Sequence, residues 1–130
     1  MVPMSGIDKI AELVDLLNAD EHDGGGTVRY EVPGGPVIGN GLHKTTEVAV
    51  QLVFVPAGAE FPKHLHGETE TLVVYRGELT LKSGMDVVVL RPGESMTYPP
   101  GVPHSASAKV DTCVVAVTVP GGEGFPDAEY

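Results

Sequence analysis

Residues 58–77 have the sequence GAEFPKHLHGETETLVVYRG, which decides both the fold and the site of this chain. Two histidines, His64 and His66, stand one residue apart, and Glu70 follows four residues after the second. In an extended strand, alternate side chains share a face, so the two imidazoles project side by side about 6.6 Å apart. Imidazole nitrogens bind metal ions at about 2.0–2.1 Å. One ion can therefore span the pair.

A third histidine, His104, ends a second segment, GESMTYPPGVPH, at residues 93–104. It must arrive from another strand, which a closed sheet allows. Glu70 keeps the parity of the first two histidines unless a turn at Gly67 resets it. A His-x-His pair alone is often a surface accident, but three of the five histidines fall in this constellation. The spacing predicts a metal site with these ligands: His64, His66, Glu70 and His104.

The two segments resemble the two motifs of the cupin superfamily, in its small single-domain microbial form. The first motif, G-x5-H-x-H-x3-E-x6-G, is matched at every interval by Gly58, His64, His66, Glu70 and Gly77. The second, G-x5-P-x-G-x2-H-x3-N, is matched by Gly93, Pro99, Gly101 and His104. Ala108 then stands where the family often carries asparagine. This departure removes an amide near the site but no ligand.

The resemblance implies an antiparallel jelly-roll β-barrel, a metal held by the same four residues, and a homodimer. Cupins include dioxygenases, isomerases, decarboxylases, storage proteins and sugar-sensing domains, so the fold alone does not decide the function. The ligand set suits one divalent transition metal, with Fe, Mn, Ni, Zn and Cu all open. Four protein ligands leave two positions on a six-coordinate ion, for a bidentate ligand or for a ligand and dioxygen.

The strand pattern predicts an all-β fold without help from the family. The strongest strand ends at Val55, and others are expected over 27–32, around 37–38, and over 71–76, 78–82, 86–91, 95–98, 104–108 and 113–119. Ser83-Gly84 and the run R-P-G-E at 91–94 are expected hairpin turns. Many short strands with frequent turns favour an antiparallel barrel or sandwich. Both faces of the strand that ends at Val55 are mostly apolar, so both are expected to be covered.

An amphipathic helix is expected before the barrel, over residues 5–18. Its apolar positions recur at helical intervals, at Ile7, Ile10, Ala11, Val14 and Leu17. This face must dock on the barrel or on a partner chain, because so short a helix is marginal alone. The expected organisation is a helix and linker over 1–26, a barrel over 27–120 and a tail over 121–130.

Composition excludes some classes of function. The 130 residues carry a net charge of −10, which repels phosphate backbones and argues against nucleic-acid binding. No apolar run approaches the ~20 residues that span a bilayer, and no secretory signal is visible. A cytoplasmic protein without membrane association is the expectation. The single cysteine, Cys113, is expected to be a small buried hydrophobe.

Two further residues are candidate ligand contacts. Gln51 interrupts the apolar strand, and it either reaches into the metal pocket or satisfies a local polar group. The second interpretation is favoured, since most buried polar groups find local partners. Tyr98 precedes Pro99-Pro100 and either contacts a ligand or packs in the barrel. Lys63, with parity opposite to His64, is expected to face solvent, and Glu68 could compete with Glu70 as a ligand.

Three functions follow from this site. The first is a metal-dependent enzyme, oxygenase-like or isomerase-like, that acts on a small oxygenated acid or enol. The second is a non-catalytic module that binds a small anionic or chelating ligand. The third is a barrel whose metal site is vestigial. The first lacks an evident general base, so its catalytic residues stay unassigned.

Overall fold

A computed structural model of the chain describes residues 26–121 and 128–129. The helix expected over residues 5–18 lies outside these residues, as does most of the 121–130 tail. Among the described residues, no helix is long and apolar enough to cross a membrane. The strands of this part of the chain are β1 (Thr27–Tyr30), β2 (Val37–Lys44), β3 (Ala49–Val55), β4 (Glu60–Leu65), β5 (Thr69–Arg76), β6 (Leu79–Ser83), β7 (Asp86–Leu90), β8 (Ser95–Tyr98), β9 (His104–Ser107), β10 (Thr112–Val119) and β11 (Ala128–Glu129).

The strands form two sheets in which neighbours run antiparallel. One sheet has six strands in the order β1-β2-β3-β10-β5-β8, and the other has five in the order β11-β4-β9-β6-β7. Strands next to each other in sequence often lie in different sheets, as β4 and β5 do, so the chain winds back and forth between the two layers. The all-β antiparallel fold expected from the strand pattern and the jelly-roll barrel implied by the resemblance are confirmed.

The core lies between the two sheets and is built by alternation along each strand. On β10, Thr112, Val114 and Ala116 are buried, whereas the residues between them are half-buried. Cys113 is one of these half-buried residues rather than fully buried. Side chains with the same inward parity meet from both sheets, and they include Val37, Val55, Leu72, Val74, Leu79, Leu81, Leu90 and Val114. Burial of each such side chain stabilises the fold by about 1.5–3 kcal/mol.

The outer face of β3 differs from the expectation that both faces are covered. Val50 and Leu52 are only half-buried, and Phe54 is 38% exposed. Val55, on the inner face, is buried. The reason is that the described residues place a second layer against the inner side of this sheet and none against its outer side.

β2 is longer than the short piece expected around residues 37–38. Gly39 and Gly41, which resemble loop residues in the sequence, lie within the strand opposite Val53 and Gln51 of β3. A Cβ built on Gly39 would lie 2.8 Å from Cδ of Gln51. Gly39 is therefore a strand residue that leaves room for a neighbouring side chain.

One of the two expected hairpin turns is confirmed and the other is wrong. Ser83 pairs with Asp86 across the turn that joins β6 to β7. The run at 91–94 does form a turn, in which the amide of Glu94 donates to the carbonyl oxygen of Arg91 at 2.9 Å. This turn nevertheless joins β7 of the five-stranded sheet to β8 of the six-stranded sheet, so it is a crossing between layers.

Gly77 and Gly93 allow the cost of backbone strain to be measured apart from the cost of steric crowding when a side chain is added. Gly77 and Gly93 both have a φ of 88°. A Cβ at Gly77 would lie 2.5 Å from the carbonyl oxygen of Asp111 and from Oγ1 of Thr112, whereas one at Gly93 would meet nothing within 4 Å.

We expect Gly93→Ala to lower the free energy of unfolding by about 1–2 kcal/mol through positive-φ strain. Gly77→Ala should lower the free energy of unfolding by a further ~1–3 kcal/mol, because the backbone at the start of β10 must shift to admit the methyl group. Urea unfolding of both variants measures the difference. Equal losses of stability in the two variants would show that crowding against Asp111 and Thr112 adds no cost.

Candidate metal centre

Four ligand-bearing side chains come together from both sheets. His64 lies on β4, directly opposite His104 at the start of β9. His66 follows the end of β4, and the short turn after it leads to β5, which carries Glu70. Because β4 and β9 belong to the five-stranded sheet and β5 to the six-stranded sheet, the group closes the barrel across its two layers.

The four side chains are buried and close together. The most exposed, His64, is only 7% accessible. Nε2 of His104 lies 3.0 Å from Oε1 of Glu70, and Nε2 of His66 lies 3.3 Å from Oε2 of the same carboxylate. One ligand atom from each residue lies within 4.8 Å of all the others. The four residues expected from the spacing are thus brought into one cluster that could hold a metal ion.

Backbone carbonyl groups orient two of the imidazoles. Nδ1 of His64 donates to the carbonyl oxygen of Pro62 at 2.8 Å, and Nδ1 of His104 donates to that of Val102 at 2.9 Å. Each histidine thus uses the residue two positions before it. In the neutral tautomer that carries its proton on Nδ1, Nε2 offers a lone pair for a ligand bond, as is usual for metal-bound histidines.

Burial and charge set the protonation states of the cluster. Burial alone would raise the pKa of Glu70, but His104 and His66 outweigh it and lower that pKa to about 2. Burial lowers the pKa of His64 below its ordinary value. Burial acts in the same direction on His66, yet the carboxylates of Glu70 and Glu68 prevail and raise its pKa. At neutral pH, Glu70 is therefore a carboxylate and His64 a neutral imidazole, the forms that bind a cation.

The separations fit the donor set of a transition metal. Ligand atoms at about 2.1 Å from one ion lie about 3.0–3.5 Å from their neighbours around it. The two imidazole–carboxylate separations, 3.0 Å and 3.3 Å, fall in that range. All four ligand atoms lie within 4.8 Å of one another, against ~4.2 Å between opposite ligands of one ion, so a small inward movement of one ring closes the difference. Three imidazoles and a carboxylate suit Fe, Mn, Ni, Zn or Cu.

A cavity of about 70 Å³ extends from this cluster into the barrel and is partly open to solvent. His64, Glu70 and His104 form part of its wall, and most of the rest is apolar. Gln51 lines the same cavity, and its side chain opposes the rise in the pKa of Tyr30 that burial causes. Gln51 therefore faces the cavity, and both interpretations of its role stay predictions.

Tyr98 lies behind the cluster rather than on the cavity wall. Its ring stacks on the imidazole of His104 with a centroid separation of 4.2 Å and an interplanar angle of 5°. Tyr98 is buried and pairs with Glu70 across β8 and β5. The described residues that line the cavity do not include it. Its contact is therefore with a candidate ligand residue.

Two other expectations concern residues beside the cluster. Lys63 is exposed, as its parity predicts. Glu68 does not join the cluster, because its carboxylate lies on the opposite side of the His66 ring, with Oε2 at 3.7 Å from Nδ1. The described cluster therefore contains Glu70 rather than Glu68.

Sequence reasoning missed two aromatic residues of the cavity wall. Tyr30 contacts Phe61 edge to face at 5.2 Å between ring centroids, and Phe61 contacts His64 in the same way at 4.8 Å. Tyr30 lies about thirty residues before the first motif, so no local spacing connects it to the site. The proximity of Phe61 to His64 in sequence was the available signal.

Comparison with known proteins relates this chain to cupins both by sequence and by structure. The model of the Cupin_2 family, a cupin domain, matches residues 51–120. No curated protein matches the sequence. Among solved structures, an RmlC-like cupin from Shewanella frigidimarina is 26% identical, with 82% of this chain and 96% of that chain covered and a TM-score of 0.64.

Two more distant structures share the fold. KdgF from a Halomonas species is 20% identical, with 74% of this chain and 90% of that chain covered and a TM-score of 0.66. An uncharacterized conserved protein with a double-stranded β-helix domain, from Klebsiella pneumoniae, is also 20% identical. It covers 95% of each chain with a TM-score of 0.60. These identities support likeness of fold and no more.

Removal of one cluster imidazole tests metal binding directly. We expect the wild-type chain to retain one equivalent of zinc after dialysis, and His64→Ala or His104→Ala to weaken zinc binding by more than about 100-fold, the upper range for loss of a supporting contact. His43, an exposed histidine on β2, provides the matched control His43→Ala. Elemental analysis and calorimetry measure both quantities. Unchanged stoichiometry in the cluster variants would exclude this site.

The pKa directions predict how metal affinity depends on pH. His66 has a raised pKa, so protons compete with the ion there from above the ordinary value of 6.5 downward. Glu70 stays ionised until about pH 2 and does not contribute to that loss. We expect zinc affinity to fall by up to ~10-fold per pH unit for each displaced proton.

Competition with a chromophoric chelator between about pH 8 and about pH 5.5 measures this fall. In Glu68→Gln the onset should move to lower pH, since Glu68 raises the pKa of His66. An affinity that stays flat across the range would contradict the assignment of His66 as a proton-competed ligand.

Proposed function

Because the chain belongs to the cupin domain family, we propose that it binds one divalent transition metal ion and acts on a small oxygenated acid or enol. His64, His66, Glu70 and His104 would hold the ion. A bound ion would polarise ligand oxygens as a Lewis acid, and Fe, Mn, Ni or Cu would add redox chemistry. The observation that carries the proposal is the buried cluster itself, with each ligand atom within 4.8 Å of the others.

The cost of this cluster supports a functional role. Buried histidines and carboxylates reduce stability unless they are fully paired, and apolar residues of similar size would pack better. The neighbouring core is made of Val, Leu and Ala. Four polar side chains in that setting are better explained by a bound ion than by packing.

The size of the cavity limits the ligand. An engineered apolar cavity of about 150 Å³ binds benzene, which corresponds to ~25 Å³ per non-hydrogen atom. A cavity of about 70 Å³ thus holds roughly three such atoms beyond the metal-binding end of a ligand. This favours small acids and enols over sugars or polymers as occupants.

The polar groups of the cavity favour oxygenase-like over isomerase-like chemistry. An isomerase needs a residue that takes a proton and returns it, with a pKa near the working pH. Outside the cluster, the described polar residues on the wall are Tyr30 and Gln51. Burial raises the pKa of Tyr30, and an amide does not titrate, so neither is a base at neutral pH. Chemistry centred on the ion needs no such group.

The same observation supports the second function, a non-catalytic module that binds a small chelating acid. In that case the ion and the cavity wall would hold the ligand without converting it.

The homodimer and the cytoplasmic location expected from the sequence stay predictions. The half-exposed outer face of β3, with Phe54 at its end, is the surface that best suits a second copy.

Metal content and turnover together test the proposal. We expect protein purified without added metal to carry close to one equivalent of a redox-active ion. Protein reloaded with Fe, Mn, Ni or Cu should consume oxygen with a member of a panel of 2-oxo acids, enols and phenols. His104→Ala should abolish both properties, and His43→Ala should keep them.

The alternative outcomes separate the two functions. A ligand-induced rise in melting temperature without product, for every metal tested, would support the binding module and contradict the enzyme. Neither product nor a melting shift with any metal-loaded form would contradict both.

A further inference from the structure

The cavity has a second polar feature, formed by Tyr30 and Gln51. Of the fifteen residues that line the cavity, these are the ones with polar side chains outside the metal cluster. Tyr30 comes from β1 and Gln51 from β3, two strands that do not pair with each other but flank β2 in the six-stranded sheet. Gln51 opposes the rise in the pKa of Tyr30 that burial causes, so the two side chains lie near each other. They therefore act as one unit on a wall that is otherwise apolar.

Glycine in the intervening strand gives the amide its place. Gly39 of β2 lies between the two strands, and a Cβ on it would lie 2.8 Å, 2.9 Å and 3.0 Å from Cδ, Oε1 and Nε2 of Gln51. Any larger residue would push the amide away. The sequence G-N-G within β2 thus has a specific consequence, namely that the Gln51 side chain can lie across the sheet toward Tyr30.

Aromatic contacts fix the tyrosine relative to the metal cluster. The Tyr30 ring packs edge to face on Phe61, which packs edge to face on His64. After burial, the negative charge of Glu70 also raises the pKa of the Tyr30 hydroxyl. The pair therefore has a defined position relative to an ion held by the cluster.

The hydrogen-bonding capacity of the pair exceeds what a contact between its two members can use. A phenol has one donor and an amide has two, together with acceptor lone pairs on both oxygens. A hydrogen bond between the two side chains would consume one of these three donors. At least one donor is then left for a third partner, and the cavity is the space that both side chains line.

We propose that Tyr30 and Gln51 form a specificity-determining pair that receives a ligand oxygen beyond the metal-binding end. The inference rests on the proposed metal site and names the class of ligand more closely. Among small chelating acids, the pair selects those with an additional hydroxyl or carbonyl group over those that end in a methyl group. A site built to hydrogen-bond an oxygen rejects an analogue that lacks it, because its polar groups are then left unpaired.

Two acids that differ in one oxygen test this pair. Pyruvate and 3-hydroxypyruvate share the same chelating 2-oxo acid end. In 3-hydroxypyruvate, a hydroxyl group takes the place of one hydrogen of the methyl group of pyruvate. The protein is loaded with zinc because this ion has no redox chemistry, so the acids bind without being oxidised during the measurement. We expect calorimetry to show tighter binding of 3-hydroxypyruvate by the wild-type protein, and the ratio of the two affinities to fall roughly 3- to 10-fold in Tyr30→Phe and in Gln51→Met.

Two further variants distinguish recognition from a general loss of structure. Gly39→Ala keeps both polar side chains but crowds Gln51, and it should lower the ratio in the same direction. Tyr75→Phe removes a hydroxyl from the outward-facing side of β5 and should leave the ratio unchanged. Zinc stoichiometry should stay at one in all four variants, which shows that the cluster is intact.

The outcomes separate this inference from the function on which it rests. If both acids bind and their ratio is the same in the wild type, Tyr30→Phe and Gln51→Met, the pair is structural and the inference is overturned while the metal-dependent binding stands. If neither acid binds to zinc-loaded wild-type protein, the proposed ligand class fails, and the inference fails with it.

Discussion

The burial of the Glu70 carboxylate is the constraint on which the site and the closure of the barrel depend. An ion moved out of water costs several kcal/mol even after relaxation, unless charged or hydrogen-bonding partners surround it. Glu70 has its partners in His66 and His104, at 3.3 Å and 3.0 Å. His104 begins β9 of the five-stranded sheet and His66 directly follows β4 of that sheet, whereas Glu70 lies on β5 of the six-stranded sheet. The carboxylate is therefore compensated only when the two layers have closed on each other.

The rest of the local structure serves that closure. Carbonyl groups two residues upstream hold the rings of His64 and His104. Tyr98 stacks on His104 from outside the cavity and limits its rotation. These contacts matter because a metal site needs its ligands held within a few tenths of an ångström, and side chains free to change rotamer lose that precision. Removal of such supports in metal proteins commonly costs 10–100-fold in affinity.

Local pattern was sufficient to predict most of the strands and the cluster, because alternation and short spacings reflect neighbouring residues. β8 was predicted with its observed bounds, Ser95–Tyr98, and the four cluster residues follow from motif intervals. Local sequence pattern did not predict how strands distant in sequence pack against each other. The turn at 91–94 has hairpin chemistry, but its change of sheet depends on how the layers stack. Gly39 has the composition of a loop, and only the Gln51 side chain explains its place in β2.

Charge connects the metal to the choice of ligand. Without an ion, the centre of the site is a carboxylate beside an imidazole whose pKa is raised, so the pair is neutral once that imidazole is protonated. With a divalent ion, three neutral imidazoles and one carboxylate leave a charge of about +1. The whole chain carries −10, so the loaded site would be a local positive exception. Anionic acids are then attracted only to the loaded form, which makes ligand affinity a sensitive report of metal occupancy and explains why the remaining wall can be largely apolar.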